Sequence, residues 1–149
     1  MKKKIFLVIT AAVLISVSTF ANVRNEIIPA SINANFGRHF AGATEVSWEK
    51  KDAFYKASFN LYGTTFFAYY GDDTRFVALT HNLLSDKLPL MLQAELKMKY
   101  ASYWITDLVE YTAHHESGYS VTLEGRDHTI VLRSNNLNGW YIYKQVNKD

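Results

Sequence analysis

The chain has no cysteine, and it is poor in the residues that break regular structure. Its 149 residues include only 2 Pro and 7 Gly. Without Cys there is no disulfide, no catalytic thiol and no cysteine pair for a metal, and an exported form has no site for a lipoprotein anchor. A domain of this size must therefore be stabilised by its core alone, which is feasible at about 130 residues.

Motifs for common catalytic chemistries are also missing. There is no Gly-x-Ser-x-Gly, no phosphate-binding loop and no catalytic Cys. Two carboxylates for glycoside hydrolysis can be chosen in any chain of this size. Here the choice would fall among Asp52, Asp107, Glu110 and Glu124. The sequence therefore predicts a protein that is not an enzyme and has no cofactor.

The few clusters of metal-ligand residues have simpler explanations. In His114-His115-Glu116 the histidines are adjacent, and neighbouring residues of a strand point to opposite faces, which disfavours a shared metal. We interpret the triplet as a polar strand end. Asp72-Asp73 has too few carboxylates nearby for the six or more oxygen ligands of calcium, so a plain turn is favoured. No metal site is predicted.

The first 21 residues have the organisation of an export signal. Lys2-Lys3-Lys4 precede an apolar run from Ile5 to Val17, and Thr19-Phe20-Ala21 offers small residues for cleavage after Ala21. The alternative is a retained membrane anchor, but the run is shorter than the roughly 20 residues of a spanning helix. We predict a signal peptide over residues 1–21, no membrane span after cleavage, and a periplasmic or secreted protein.

The charge balance excludes a nucleic-acid partner. The whole chain carries a formal charge of +2, but the three lysines of the signal supply it. Residues 22–149 hold 13 basic and 14 acidic residues, a net charge of −1. A nucleic-acid-binding domain normally has a basic surface. The partners expected for this chain are therefore neither DNA nor RNA.

Hydrophobic periodicity predicts two similar halves. Apolar residues recur every fourth position in a helix over 30–40 and in a second helix over Pro89–Tyr100. Alternating apolar and polar residues predict four strands after each helix. The predicted strands are roughly 44–50, 53–61, 64–70 and 75–81, then 104–114, 119–124, 128–133 and 140–146.

Two such halves suggest a degenerate tandem repeat within a single domain spanning residues 22–149. The repeats cover about residues 30–82 and 85–147, and each alone would expose a bare sheet face. We predict an α+β fold: one antiparallel sheet of about eight strands with both helices on one face. The other face would remain open.

The Tyr62-Gly63 turn fixes which side chains reach each face. A two-residue loop there pairs Leu61 with Thr64 and directs Tyr55 and Phe59 toward the helices. The opposite, open face then receives aromatic and polar side chains that we predict to bind a partner. They are Phe54, Lys56, Asn60, Phe67, Tyr69 and Phe76, joined by Tyr141 and Tyr143 if Trp140, Ile142 and Val146 point to the core.

The sequence resembles the PepSY-like proteins of bacterial envelopes, which are grouped with the beta-lactamase inhibitor protein fold. The resemblance spans roughly residues 32–146. It is carried by Phe40, Ala43, Val46, Trp48, Tyr55, Ala57, Phe59 and Gly63, and more weakly by Leu88-Pro89, Lys99-Tyr100, Tyr119, Val121 and Leu123. It implies a tandem helix-plus-sheet fold, a concave sheet face, no enzymatic chemistry, and binding or inhibition of another protein.

Clustered aromatics on an uncovered sheet face are enriched at protein interfaces. We therefore predict a non-catalytic exported protein that binds an unidentified envelope or extracellular protein through its open face. The alternatives are a small-molecule or glycan binder of the cell envelope, burial of the patch by self-association, and cross-strand packing that only stiffens the sheet.

Overall fold

The computed structural model describes residues 27–135 and 138–148. These described residues form two α-helices, one 3-10 turn and eight strands. The helices are α1 (Ala30–His39) and α2 (Leu90–Lys99), with the 3-10 turn at Ser85–Lys87. The strands are β1 (Thr44–Lys51), β2 (Phe54–Leu61), β3 (Thr64–Gly71), β4 (Phe76–Asn82), β5 (Trp104–Ala113), β6 (Glu116–Glu124), β7 (His128–Asn135) and β8 (Tyr141–Asn147).

All eight strands form one antiparallel sheet in sequence order, β1 to β8. Seven antiparallel pairings join neighbouring strands, and within the described ranges only the β4–β5 connection contains a helix. The predicted α+β architecture is thereby confirmed, with both helices packed on the same face. The predicted signal peptide lies outside the described residues. No helix within the described ranges is both long enough and apolar enough to span a bilayer.

The first half of the sheet is covered by α1. Ile32 and Phe36 are the buried residues of this helix, one turn apart. They pack on a cluster from β2 and β3 that includes Phe59 and Tyr70, both nearly inaccessible to solvent. The Phe36 and Phe59 rings meet edge to face with centroids 5.0 Å apart. The four-residue spacing seen in the sequence therefore produces this core.

The second half is covered in the same way by α2. Leu92 and Leu96 from the helix, with Leu88 just before it, pack against strand residues such as Leu123 and Leu132. Both helices begin directly after a proline, Pro29 or Pro89, whose carbonyl accepts the first helical hydrogen bond. The second helix thus starts one residue later than predicted, because Pro89 serves as its N-cap.

The β2–β3 hairpin has the predicted register. Tyr62 and Gly63 both have positive φ angles, 53° and 80°, as a type I′ turn requires. Leu61 pairs with Thr64, and the alternation places β2 and β3 side chains on the faces expected. The Asn60 side-chain oxygen accepts a hydrogen bond from the Gly63 N–H at 3.0 Å, which closes the turn.

The β3–β4 hairpin differs from prediction and moves Phe76 to the other face. Gly71 N–H donates to the Arg75 carbonyl, and Thr74 has a positive φ of 65°, so the loop is one residue shorter than expected. Phe76 therefore pairs with Tyr70 rather than Tyr69. It packs against Tyr70 and Phe40 beneath α1. A one-residue change of register transfers a side chain across a sheet.

Candidate functional site

The candidate site is the sheet face opposite α1 and α2, which we call the open face. Among the described residues, no helix packs on it. Its side chains follow from the strand register, every second residue in each strand. They include Glu49, Phe54, Lys56, Phe67, Tyr69, Ala78, Thr80, Asp107, Val109, Tyr111, Ser120, Thr122, Val131, Arg133 and Tyr141.

Most aromatic surface in the first half of the open face is self-buried. Phe54 and Tyr69 are only 9% and 7% exposed and form a cluster with Ala78 and Ala113. The Phe54 and Tyr69 rings meet at 5.6 Å between centroids. The expectation that these two rings are freely exposed is therefore wrong. They stiffen the sheet, and the surface that they leave for a partner is the rim of the cluster.

Phe67 lies at that rim and supports a lysine. The Lys56 ammonium sits 4.6 Å from the centroid of the Phe67 ring, within the range of a cation–π contact. Burial lowers the pKa of Lys56, while Glu49 on the neighbouring strand opposes that shift. The result is a cation that has already lost part of its hydration and would lose little more under a partner.

The middle of the open face is polar but poorly hydrated. Thr80 and Thr122 are 7% and 4% exposed, and Thr80 forms a side-chain hydrogen bond with Tyr69. Asp107 pairs with Thr122 across β5 and β6. Burial raises the pKa of Asp107, although a hydrogen bond from the Leu108 backbone N–H partly offsets the effect. A carboxylate held this way destabilises the free protein and is available to a donor from outside.

The far end of the open face is built around Arg133, which the sequence interpretation did not single out. Its guanidinium carbon lies 3.7 Å from the Tyr143 ring centroid and 5.5 Å from that of Tyr111. The Tyr111 hydroxyl donates to the Asn135 side-chain oxygen at 2.9 Å. A sequence signal did exist, because Arg133 alternates with the core residues Ile130 and Leu132 and must therefore reach the open face.

Strand β8 delivers its tyrosines with one change from prediction. Trp140 is buried against α2 as expected, and Tyr141 stands opposite Arg133 on the open face, 45% exposed. However, Ile142 and Val146 are 55% and 44% exposed and do not enter the core. The register shifts between Val131 and Leu132, which adds an extra residue to β8 and turns Val146 to the open face. Ile142 precedes the shift and stays opposite the core residue Leu132, but it lies on the edge strand and remains exposed.

The predicted partner-binding residues thus separate into four groups. Lys56, Phe67 and the β8 tyrosines reach the open face with accessible surface, whereas Phe54 and Tyr69 are buried within it. Asn60 also faces that side, but its oxygen is committed to the hairpin turn. Phe76 lies on the helix side. Among the described residues, no three His, Cys, Asp or Glu side chains gather in a way that could hold a metal ion.

Comparison with known proteins identifies the fold. No protein-family model matches the sequence, and no curated protein matches it. Solved structures do match. A BLIP-like protein from Bacteroides fragilis aligns with a TM-score of 0.71 and 18% identity, covering 84% of this chain and 92% of the other. A DUF2874 family protein from Bacteroides ovatus aligns with a TM-score of 0.70 and 16% identity, covering 82% and 89%.

A third structure, from Bacteroides eggerthii, belongs to a candidate periplasmic protein. It aligns with a TM-score of 0.67 and 12% identity over 81% of this chain and 89% of the other. At such identities the likeness establishes the fold and nothing further. The chain has a BLIP-like fold, so the fold implied by the resemblance is confirmed. Its PepSY-like family membership is not supported by these neighbours.

Proposed function

We propose that this chain is a non-catalytic exported protein that binds another protein through the open face. One observation carries the proposal: an eight-stranded sheet with both helices on one side presents aromatic-backed cations on the other. Lys56 rests on Phe67, and Arg133 rests on Tyr143 and Tyr111. Aromatic and arginine side chains are the residues most often found at the energetic centre of protein interfaces.

The physical state of the face favours binding of a large partner. Side chains at its centre are ordered by cross-strand packing, so little conformational entropy remains to be lost on association. The half-buried carboxylate of Asp107 and the partly desolvated Lys56 have already incurred part of their desolvation cost. A partner with a complementary donor and acceptor would recover that cost. Because Asp107 and Lys56 carry opposite charges at different places on the open face, they favour one orientation of a complementary partner.

The proposal also includes export of the protein from the cytoplasm. The N-terminal signal predicted from the sequence and the candidate periplasmic protein among the structural neighbours both support a periplasmic or secreted location. The BLIP-like neighbour supports an inhibitor-like or other binding role without chemistry. The partner is then a protein of the cell envelope or the extracellular medium. Duplication of one helix-and-four-strand unit would account for the two similar halves.

Glycan binding is the second candidate, and strand β8 favours it. Tyr141 is 45% exposed and its hydroxyl lies 3.5 Å from the Asn135 side-chain oxygen. An accessible ring with a polar group beside it is a suitable contact for a sugar. A ligand that binds only the native state raises the melting temperature. A melting-temperature screen with envelope glycans and their fragments therefore tests this alternative.

The protein-binding proposal is tested by capture from an envelope extract. Wild type is compared with Lys56→Gln combined with Tyr141→Ala, which removes exposed contacts and leaves the buried Phe54–Tyr69 cluster intact. We expect the double variant to melt near wild type and to lose a captured protein, identified by mass spectrometry. The matched control is Met91→Ser with Met98→Ser on the outer side of α2, where these residues are 72% and 83% exposed. Equal capture by all three proteins would contradict the proposal.

A further inference from the structure

Arg133 is one of the cations on the open face that form no ion pair with a described carboxylate; Lys56 and Lys144 are others. Elsewhere on the surface Lys50, Lys51, Arg75, Lys99 and Lys148 each form an ion pair with a carboxylate. In the described parts of the chain, no carboxylate forms such a pair with Arg133. Its Nε is buried and has no hydrogen-bond partner. A buried donor without an acceptor is costly. Arg133 as a whole is half-buried, so a ligand from solvent can approach only the part of its guanidinium beyond Nε.

The rings beside Arg133 fix the orientation of its guanidinium group. Tyr143 stacks at 3.7 Å on the guanidinium, and Tyr111 lies at 5.5 Å. Rings on the flat faces of a guanidinium leave only its in-plane N–H groups for hydrogen bonding. Tyr111 is itself held by its hydroxyl bond to Asn135. The donors are therefore pre-oriented before any ligand arrives.

The surroundings strengthen the attraction for an anion. Val109 and Val131, on the strands that flank this part of the open face, are 8% and 5% exposed. Gly118 lies directly beside the Tyr111 hydroxyl, and its lack of a side chain keeps this region shallow. Electrostatic interactions with a fixed cation gain strength where water is excluded. Apolar neighbours with little accessible surface beside this cation favour a weakly hydrated, singly charged group.

We propose that Arg133 binds the carboxylate of an aspartate or glutamate side chain of the protein partner, through paired N–H···O hydrogen bonds. This inference rests on the proposed function and names the chemistry that the open face recognises. A planar carboxylate matches the in-plane donors of a single guanidinium. The Tyr111 ring also packs against the apolar cluster of Phe54 and Tyr69. An acidic residue flanked by apolar neighbours would contact both features, which a hydroxyl-rich sugar acid would not.

Side-chain NMR of the arginine Nε–Hε groups tests the proposal directly. The probes are the blocked peptides Ac-Leu-Glu-Phe-NH2 and Ac-Leu-Gln-Phe-NH2, inorganic phosphate and glucuronate. Arg133 is assigned from the signal lost in Arg133→Lys. We expect a saturable shift of that signal with the glutamate peptide, at least tenfold weaker binding of the glutamine peptide, and no saturable shift of Arg126 in the exposed β6–β7 turn.

Two variants separate ion recognition from fold integrity. Arg133→Gln should abolish binding of the glutamate peptide. Tyr143→Leu, which keeps the cation and removes the stacking ring, should weaken it at least threefold. Arg126→Gln is the matched control and should bind like wild type. Thermal melts identify a variant that fails to fold; in that case the comparison of the two peptides on wild type still decides the result.

Three results would overturn the proposal. Equal affinity for the glutamate and glutamine peptides would show that Arg133 does not recognise a carboxylate. Tighter binding of phosphate than of the glutamate peptide would show that the site prefers phosphate. Glucuronate binding as tightly as the glutamate peptide would contradict the claim that the carboxylate belongs to a protein side chain. Failure here is distinct from failure of the proposed function. Suppose that capture is lost in the variant with Lys56→Gln and Tyr141→Ala but is unchanged in Arg133→Gln. That result would support the open face as the docking surface and contradict the anion site at Arg133.

Discussion

The indole Nε1 of Trp140 donates a hydrogen bond to the backbone carbonyl of Leu92, 3.0 Å away. The backbone N–H of Trp140 also donates to the Glu95 carboxylate at 3.0 Å. These two bonds connect the start of β8 to α2, across 45 or more positions of sequence. They anchor the strand that carries Tyr141 and Tyr143, and so they support the part of the open face that surrounds Arg133.

The Trp140 anchor predicts a clear loss of stability on substitution. Trp140→Phe keeps an aromatic ring in the core but removes the indole donor and leaves a small cavity. We expect the free energy of unfolding to fall by about 1–3 kcal/mol. Trp104→Phe is the matched control, because Trp104 is 78% exposed, and it should change little. Chemical denaturation measures both; an equal loss at the two positions would contradict the anchoring role.

A second prediction concerns the buried hydroxyl of Tyr70. The side chain is fully buried under α1, its hydroxyl has no hydrogen-bond partner, and burial raises the pKa of Tyr70 to about 12. Tyr70→Phe removes the unsatisfied polar atom and keeps the ring. We expect the free energy of unfolding to rise by about 1 kcal/mol. Tyr62→Phe, at a residue 95% exposed, should be neutral. A destabilised Tyr70→Phe would show that the hydroxyl does have a partner.

Asp107 gives a prediction with a defined pH dependence. Burial raises the pKa of Asp107 above its ordinary value of 3.8, so between the two pKa values the folded state holds a proton that the unfolded state has released. Stability then falls as pH rises from 3.8 through the raised folded-state pKa, and the loss persists at neutral pH. Asp107→Asn should therefore melt higher than wild type at pH 7. That advantage should shrink as the pH falls through the raised folded-state pKa and should be gone below 3.8.

Thermal melts from pH 3 to pH 8 check this behaviour. The matched variant is Asp127→Asn, at an exposed position between β6 and β7, which should show no such pH-dependent difference. If Asp107→Asn instead lowers the melting temperature at pH 7, the carboxylate has a stabilising partner and its availability on the open face is contradicted.

Alanine substitutions at two glycines, Gly118 and Gly37, should change the stability of the protein in opposite directions. A Cβ atom added at Gly118 would lie 2.0 Å from the Ser134 backbone oxygen, whereas one added at Gly37 in α1 would meet nothing within 4 Å. Gly118→Ala must displace a neighbouring strand and should cost about 2–4 kcal/mol. Gly37→Ala should stabilise the helix by about 0.5–1 kcal/mol. Melting temperatures measure both, and similar values for the two variants would contradict the close β6–β7 approach at Gly118.

The fold could be predicted from the sequence because local patterns of apolar and polar residues define its helices and strands. Apolar residues four apart in α1 and α2, and alternation in the strands, define the elements. A sheet in sequence order then requires only neighbouring hairpins. The Tyr62-Gly63 turn fixed one register correctly. The β3–β4 register was missed because the left-handed conformation of Thr74 shortens the loop, and nothing in the sequence distinguishes that loop from one a residue longer.

The candidate site was harder to predict from the sequence than the fold. Alternation correctly sends Phe54 and Tyr69 to the face away from the helices, but alternation cannot report that neighbouring side chains bury them there. Their burial depends on how four strands curve and bring Ala78 and Ala113 alongside. Arg133 was missed for a related reason, since its importance comes from two rings that are 22 and 10 positions away in the chain. Only tertiary structure brings such residues together.

Binding to the captured partner by matched surface variants tests the open face most directly. Dissociation constants are compared for wild type, for Lys56→Gln with Tyr141→Ala on the open face, and for Met91→Ser with Met98→Ser on the helix side. Removing contacts near the centre of an interface typically costs more than about 1–2 kcal/mol. We predict at least tenfold weaker binding for the open-face pair and unchanged binding for the helix-side pair. The reverse order would contradict the assignment of the open face as the docking surface.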